Sequence, residues 1–423
     1  MKALLLIAIA LFPASYALKF VYDLGVTWIN PSFLIGLLAL TVHLATSGKF
    51  RVSRDEAPIV KASLVFLVAY ILSSLRALLM NSALDTGISP SAYECLREPV
   101  RLSLCFVLLY LVLATVKTGS LYASLLKASI WMGLLQLCAA VYLLAALLAK
   151  WPLPHGWDTY IAAYIWRQSL YVGDLVIPRL GGTFREAPMY GLYMLCALAC
   201  NILLLKLRYS RLYTITLRVL LIGTVLSLSS QVAIALAVLG LFAYGPGILR
   251  YPKIKIRALL AVAAAIIVFG IGIGLVVQRM PAAGNVLSTS GTVNERTFHT
   301  ANALDRLADQ PLLGIGPGLY GYYAAKAGGW PTTVTVQVMI PEILAETGLV
   351  GFSAFLLFAC VLGYWLWQRR DYMTTGIVVA LFAASAFQAN WKWDFVFFTL
   401  GLVIVFHRFR PCTGETPTSG FTA

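Results

Sequence analysis

Glu342 and Glu346 stand four residues apart in PEILAETG, a spacing that puts both carboxylates on one face of a helix begun by Pro341. A carboxylate there can take the proton of an attacking hydroxyl, which makes Glu342 the candidate general base. The plainer reading is a first-turn acid that favours a helix N-terminus, with Glu346 hydrogen-bonding inside a bundle. Upstream, Arg296 and His299 are three residues apart in ERTFHTANALDRLADQ and share a helical face, so His299 is placed to assist. An arginine in an apolar, half-buried setting is costly unless it meets a partner such as phosphate. That argument covers Arg296, Arg101, Arg179 and Arg185, and its structural alternative is an ion pair, Arg296 with Glu295 or Arg185 with Glu186. No D-x-D pair occurs, so neither a metal held as in nucleotide-sugar transferases nor any other cofactor is expected.

A second pattern invites a different chemistry. Gly316 to Gly321, GPGLYG, fits G-x-G-x-x-G, the turn that cradles a dinucleotide. That turn works between a strand and a helix of a parallel sheet, with an acidic residue about 20 positions on. Here an amphipathic segment ended by Pro311 leads in and no Val/Ile strand does, so the glycines read as a tight turn whose shape Pro317 helps to fix.

The elements that must position these residues are membrane spans. Of 423 residues 60% are hydrophobic and 12% charged, a balance that no water-soluble core requires. About twelve apolar runs are long enough: 3–20, 27–46, 58–79, 99–116, 122–148, 187–205, 213–228, 231–248, 258–278, 342–367, 373–389 and 392–408. The seventh and eighth are short and could form a broken hairpin around Ser229 and Ser230. The expected fold is therefore an all-α, polytopic membrane protein of about twelve helices.

Orientation follows from the basic clusters. Lys49/Arg51/Arg54, Lys206/Arg208/Arg211, Arg250/Lys253/Lys255/Arg257, Arg369/Arg370 and Arg408/Arg410 all fall on one side of that count, which assigns both termini to the cytoplasm. The opening MKALLLIAIALFPASYA also resembles a secretory signal, but a second apolar run follows at once and an uncleaved first span is expected. The net charge of +15 is accounted for by topology and anionic lipid, so no nucleic-acid partner is expected. The seven cysteines lie mostly in apolar runs, without C-x-x-C pairs, and read as packing residues. The chain then divides into a five-helix part (1–148), an outer segment (149–186), central helices (187–278), a large outer segment with short helices (279–341), C-terminal helices (342–408) and a tail (409–423). The two outer segments hold most of the soluble-looking sequence, and their many aromatic residues read as an interfacial belt with some rings free to stack on sugars.

Four segments resemble the O-antigen ligase and polymerase superfamily, multispanning GT-C type glycosyltransferases of the bacterial inner membrane. They are ERTFHTANALDRLADQPLLGIGPGLYGYY (Glu295–Tyr323), PEILAETGLVGF (Pro341–Phe352), RLGGTFREAPMYGLYML (Arg179–Leu195) and LSLSSQVAIALAVLGL (Leu226–Leu241). The resemblance implies an undecaprenyl-diphosphate-linked oligosaccharide as donor and acceptor, chemistry at the periplasmic face, and a chain-length regulator protein as partner. It places Arg296 at the family's arginine before the amphipathic helix, a fit for the leaving diphosphate. Arg101, Arg179, Arg185, Glu186, Gln337 and Tyr320 are the residues expected to bind such a substrate. Two positions depart from the pattern: Gln337 stands where ligases carry a His, and Gln231 follows Ser230 where an Arg is usual. Both departures favour a repeat-unit polymerase over a ligase, with a lipid-linked sugar transporter as the rival from another class.

Overall fold

The computed structural model describes residues 1–21, 31–47, 52–80, 92–149, 151, 170–172, 175–177, 179–184, 187–250, 289–327, 338–386 and 392–409. Among these are thirteen α-helices: α1 (Lys2–Val21), α2 (Pro31–Ser47), α3 (Ala57–Met80), α4 (Ala92–Thr115), α5 (Gly119–Ala149), α6 (Ala187–Leu207), α7 (Arg211–Val225), α8 (Ser230–Arg250), α9 (Thr289–Asp309), α10 (Tyr320–Ala327), α11 (Met339–Gln368), α12 (Tyr372–Ala386) and α13 (Asp394–Val405). One small antiparallel hairpin, β1 (Leu170–Val172) and β2 (Leu175–Ile177), lies in the 149–186 segment, where no strand was expected.

Among the described residues five helices are long and apolar enough to cross a membrane: Ala57–Met80, Tyr93–Thr115, Gly119–Ala146, Ala187–Leu207 and Met339–Gln368. The chain is a multi-pass membrane protein. Shorter apolar helices accompany them, among them Pro31–Ser47 and Tyr372–Ala386. The candidate spans 213–228 and 392–408 are helices of only 15 and 12 residues, and 258–278 lies outside the described residues.

Helix α3 shows how the sequence suits lipid. Ser63, Ser73, Ser74 and Tyr70 are buried, whereas Leu64, Val65, Val68, Leu72 and Leu79 are exposed, the reverse of a helix on a water-soluble core. Central helices instead bury every side: all twelve residues of α13 are buried, as is most of α6. Around them α3 packs on α11, α4 on α13, α5 on α6 and α8 on α12.

Side-chain bonds mark the two ends of this bundle. At one end Arg408 donates from Nε to Glu56 Oε1 at 2.7 Å and from its guanidinium to the carbonyls of Leu113 and Val116, while Lys206 pairs with Asp371 and Arg369 with Asp55. Four of the helices concerned, α4, α6, α11 and α13, finish at that end, where Lys206, Arg369 and Arg408 of the basic clusters are found. At the other end Ser32 at the start of α2 donates to Asp394 at the start of α13. Thr183 Oγ1 donates to the Pro13 carbonyl, and Arg179 Nε to the Ser227 carbonyl in the α7–α8 turn. The expected hairpin about Ser229 and Ser230 is thus two helices joined by a turn, in which Leu228 takes φ 48°.

Candidate active site

The site is built on a break in a spanning helix. Within α11, Gly348 leaves helical geometry at φ 64°, ψ −165°, a left-handed φ that glycine adopts at little cost. A break strands backbone groups, which in a bilayer must find partners within the protein. Here the carbonyls of Ala345 and Glu346 accept from the amides of Ile315 and Gly316, each at 2.9 Å, while the amides of Leu349 and Val350 donate to the carbonyls of Pro311 and Leu312 at 2.8 and 3.1 Å. The four stranded groups are therefore satisfied by one turn, residues 311–316, offering two donors and two acceptors in return. A Cβ on Gly348 would stand 2.4 Å from the Leu312 carbonyl oxygen, so the approach requires glycine as well.

Helix α3 clamps the same junction. Ser73 Oγ lies 2.5 Å from the Leu313 carbonyl and 2.7 Å from that of Glu346, and Arg76 Nη1 donates to Gln310 Oε1 at 2.7 Å and to the Gly314 carbonyl at 2.5 Å. Arg76, a cation inside an apolar span, thus ties down the turn.

The glycine-rich turn then delivers a donor to α11. The Gly318 amide donates to Glu346 Oε1 at 2.8 Å, and a Cβ on Gly318 would meet Glu98 Cγ at 2.7 Å. Beside it lies a buried polar cluster drawn from four elements: Tyr70 of α3, Glu98 of α4, Glu342 and Glu346 of α11, and Lys392 just before α13. Lys392 Nζ donates to the Tyr70 hydroxyl at 2.6 Å and stands 2.9 Å from Glu98 Oε2 and 3.4 Å from Glu342 Oε1. An ammonium can only donate, so the Tyr70 oxygen is an acceptor there and its own proton is left for Glu346 Oε2 at 3.5 Å. Glu98 is further held by Arg97 at 3.2 Å, with Arg101 Nη1 at 4.0 Å, and the Arg101 guanidinium stands 5.1 Å from the centre of the Trp393 ring. Glu342 Oε2 is buried without a hydrogen-bond partner.

Burying this many charges is expensive, and one unpaired member would cost more than the cluster returns. What the arrangement offers chemically is a carboxylate with one oxygen near a cation and the other buried without a partner, an acceptor with capacity to spare.

The structure brings together only some of the residues singled out from sequence. Glu342 and Glu346 share one face, as their spacing requires, and Arg101 joins them through Glu98. Arg179 is placed at the same end of the bundle but bonded to the α7–α8 turn. Tyr320 is fully buried among Ala77, Cys95, Ala303 and Leu319, and this burial pushes its phenol up, with Asn302 and Arg306 opposing. Arg296 and His299 lie on α9, but their side chains, with Arg185, Glu186 and Gln337, lie outside the described residues. Sequence reasoning missed Tyr70, Glu98 and Lys392. The one available signal was Lys392 itself, a cation inside the apolar run that begins NWKWDFVFF.

Residues 215–356 match the O-antigen ligase family, so the chain carries a domain of that family over about a third of its length. The matched segment contains α9, the glycine-rich turn, Glu342, Glu346 and Gly348, whereas Tyr70, Glu98, Arg179 and Lys392 come from outside it. No curated protein matches the chain.

Proposed function

From a chain that carries an O-antigen ligase domain, we propose a glycosyltransferase that polymerises oligosaccharide repeat units linked to a polyprenyl diphosphate. The observation that carries it is the buried Glu342, whose unpartnered oxygen sits in the part of the fold that the family match covers. The hydroxyl of one lipid-linked sugar attacks the anomeric carbon of another, and its proton passes to Glu342. The bond from that carbon to the diphosphate breaks, and the leaving oxygen keeps the electron pair. Arg296, with Arg101, Arg179 and Arg185, meets the growing negative charge, a task suited to a fork that never deprotonates. Gln337, Glu186 and Tyr320 line or support the substrate path, and no metal enters the step.

The basic clusters support a cytoplasmic setting for the far end, and with it a periplasmic one for the Glu342 end in a bacterial inner membrane. Twelve spans, a chain-length regulator as partner and the six-part division of the chain belong to the same proposal. The absence of the ligase His at Gln337 and of Arg at Gln231 favours polymerase. A ligase that hands a finished chain to lipid or protein is the second reading, favoured by the family description itself.

Purified protein in lipid nanodiscs, given a polyprenyl-diphosphate-linked oligosaccharide, is expected to yield a ladder of lengthened lipid-linked products. Glu342→Gln and Arg296→Ala should each lower the rate by at least about a hundredfold while the protein still inserts. A single transfer per chain to an added acceptor would replace polymerase by ligase. Near wild-type extension by Arg296→Ala would remove the diphosphate role, and by Glu342→Gln the base.

A further inference from the structure

The segment that carries Lys392 is fastened independently of Glu342. Asp394 accepts from Ser32 of α2 and from the Phe395 amide, and Trp393 stacks on Phe395 with ring centroids 5.9 Å apart. Lys392 itself is 1% exposed and reaches across the bundle to three other elements. Its contacts are graded: Tyr70 and Glu98 at 2.6 and 2.9 Å, Glu342 at 3.4 Å. The two short contacts fix the ammonium, and the long one falls on a single oxygen of Glu342.

We propose that Lys392 is a positioning residue of the transfer reaction: anchored by Glu98 and Tyr70, it holds Oε1 of Glu342 and so presents Oε2 to the incoming sugar hydroxyl. The inference rests on Glu342 as the base. Charge balance supports the division of labour. When Glu342 takes the proton it becomes neutral, yet Lys392 keeps its partner in Glu98, so no buried cation is left unpaired at any stage. Without Glu98 the same step would abandon an ammonium among apolar helices. The base can therefore cycle while the rest of the cluster stays closed.

Rates of the purified protein in nanodiscs test this, normalised to folded enzyme. Lys392→Met is expected to lower kcat about a hundredfold, with KM for the lipid-linked donor within about twofold of wild type. Lys392→Arg, which keeps a donor cation, should recover about tenfold of that loss. In the Glu342→Gln background, Lys392→Met should cost nothing further, because residues acting as a unit are non-additive. Should Lys392→Met fail to accumulate, Tyr70→Phe carries the test: a loss of about tenfold in kcat, again absent beside Glu342→Gln. Unchanged kcat in the folded variant, or losses that multiply, would overturn the positioning role while Glu342→Gln remained inactive. An active Glu342→Gln protein would instead remove the base and this inference with it.

Discussion

The Gly318 amide donates to Glu346 Oε1 across 2.8 Å, and this one bond joins a glycine turn to the interior of a membrane span. The same carboxylate takes the Tyr70 hydroxyl at 3.5 Å, so turn, α3 and α11 meet at Glu346. Glu346→Ala strands both donors in a buried place, at a cost of about 2–3 kcal/mol. Glu346→Gln keeps an acceptor for Gly318 and is expected to cost about 1 kcal/mol. Thermal unfolding of the detergent-solubilised protein separates the two; equal losses would remove the Gly318 bond from the explanation.

The helix break makes a sharper prediction. Gly348→Ala places a Cβ 2.4 Å from the Leu312 carbonyl oxygen at φ 64°, which predicts a loss of at least about 3 kcal/mol and little folded protein. Gly363 lies in the same helix with nothing within 4 Å of its added Cβ, so Gly363→Ala should be neutral or raise stability by up to about 1 kcal/mol. Matching melting curves for the two variants would show that the break does not depend on glycine.

Arg408 closes the opposite end of the bundle through Glu56 and two backbone carbonyls. Arg408→Ala leaves the buried Glu56 without its cation and should cost about 3 kcal/mol. Because the pair lies at the end away from Glu342, kcat per folded molecule should stay within about twofold. A large fall in kcat at normal stability would mean that the two ends are coupled.

Burial raises the Asp371 carboxyl, but the Lys206 ammonium at 2.5 and 2.7 Å and the Thr374 amide outweigh it and hold it below its usual value. A carboxyl depressed in the folded state stabilises above its unfolded pKa of about 3.9, and that stability is lost as pH falls through the folded value. Wild-type melting temperature should therefore drop as pH goes from about 5 to about 3, and Lys206→Met should flatten this part of the drop. Parallel curves would assign the acid sensitivity to other groups.

Sequence carried the outer layer of this fold well and its inner pairing poorly. Apolar runs foretold most of the helices, because lipid demands them whatever their neighbours are. The i, i+4 spacing of Glu342 and Glu346 needed only helix geometry. The break at Gly348 was hidden inside 342–367, since one glycine in an apolar run leaves hydropathy unchanged and the stranded carbonyls have no signature of their own. Lys392, Glu98 and Tyr70 meet across 28 to 322 positions of chain, and periodicity says nothing about contacts between elements so far apart. Glu98 stands just before the apolar run 99–116, and nothing local in the sequence reveals that Lys392 is its partner.

The exchange of four backbone bonds between residues 311–316 and the broken α11 also sets an order of assembly. The turn is synthesised before the span that needs it, so it must stay within reach of the bilayer until α11 arrives. Until then Leu349 and Val350 have no acceptors, and α11 can enter lipid only as an unbroken helix. Docking of the turn is thus what bends the span, and residues 311–316 gain these four partners only once α11 is present.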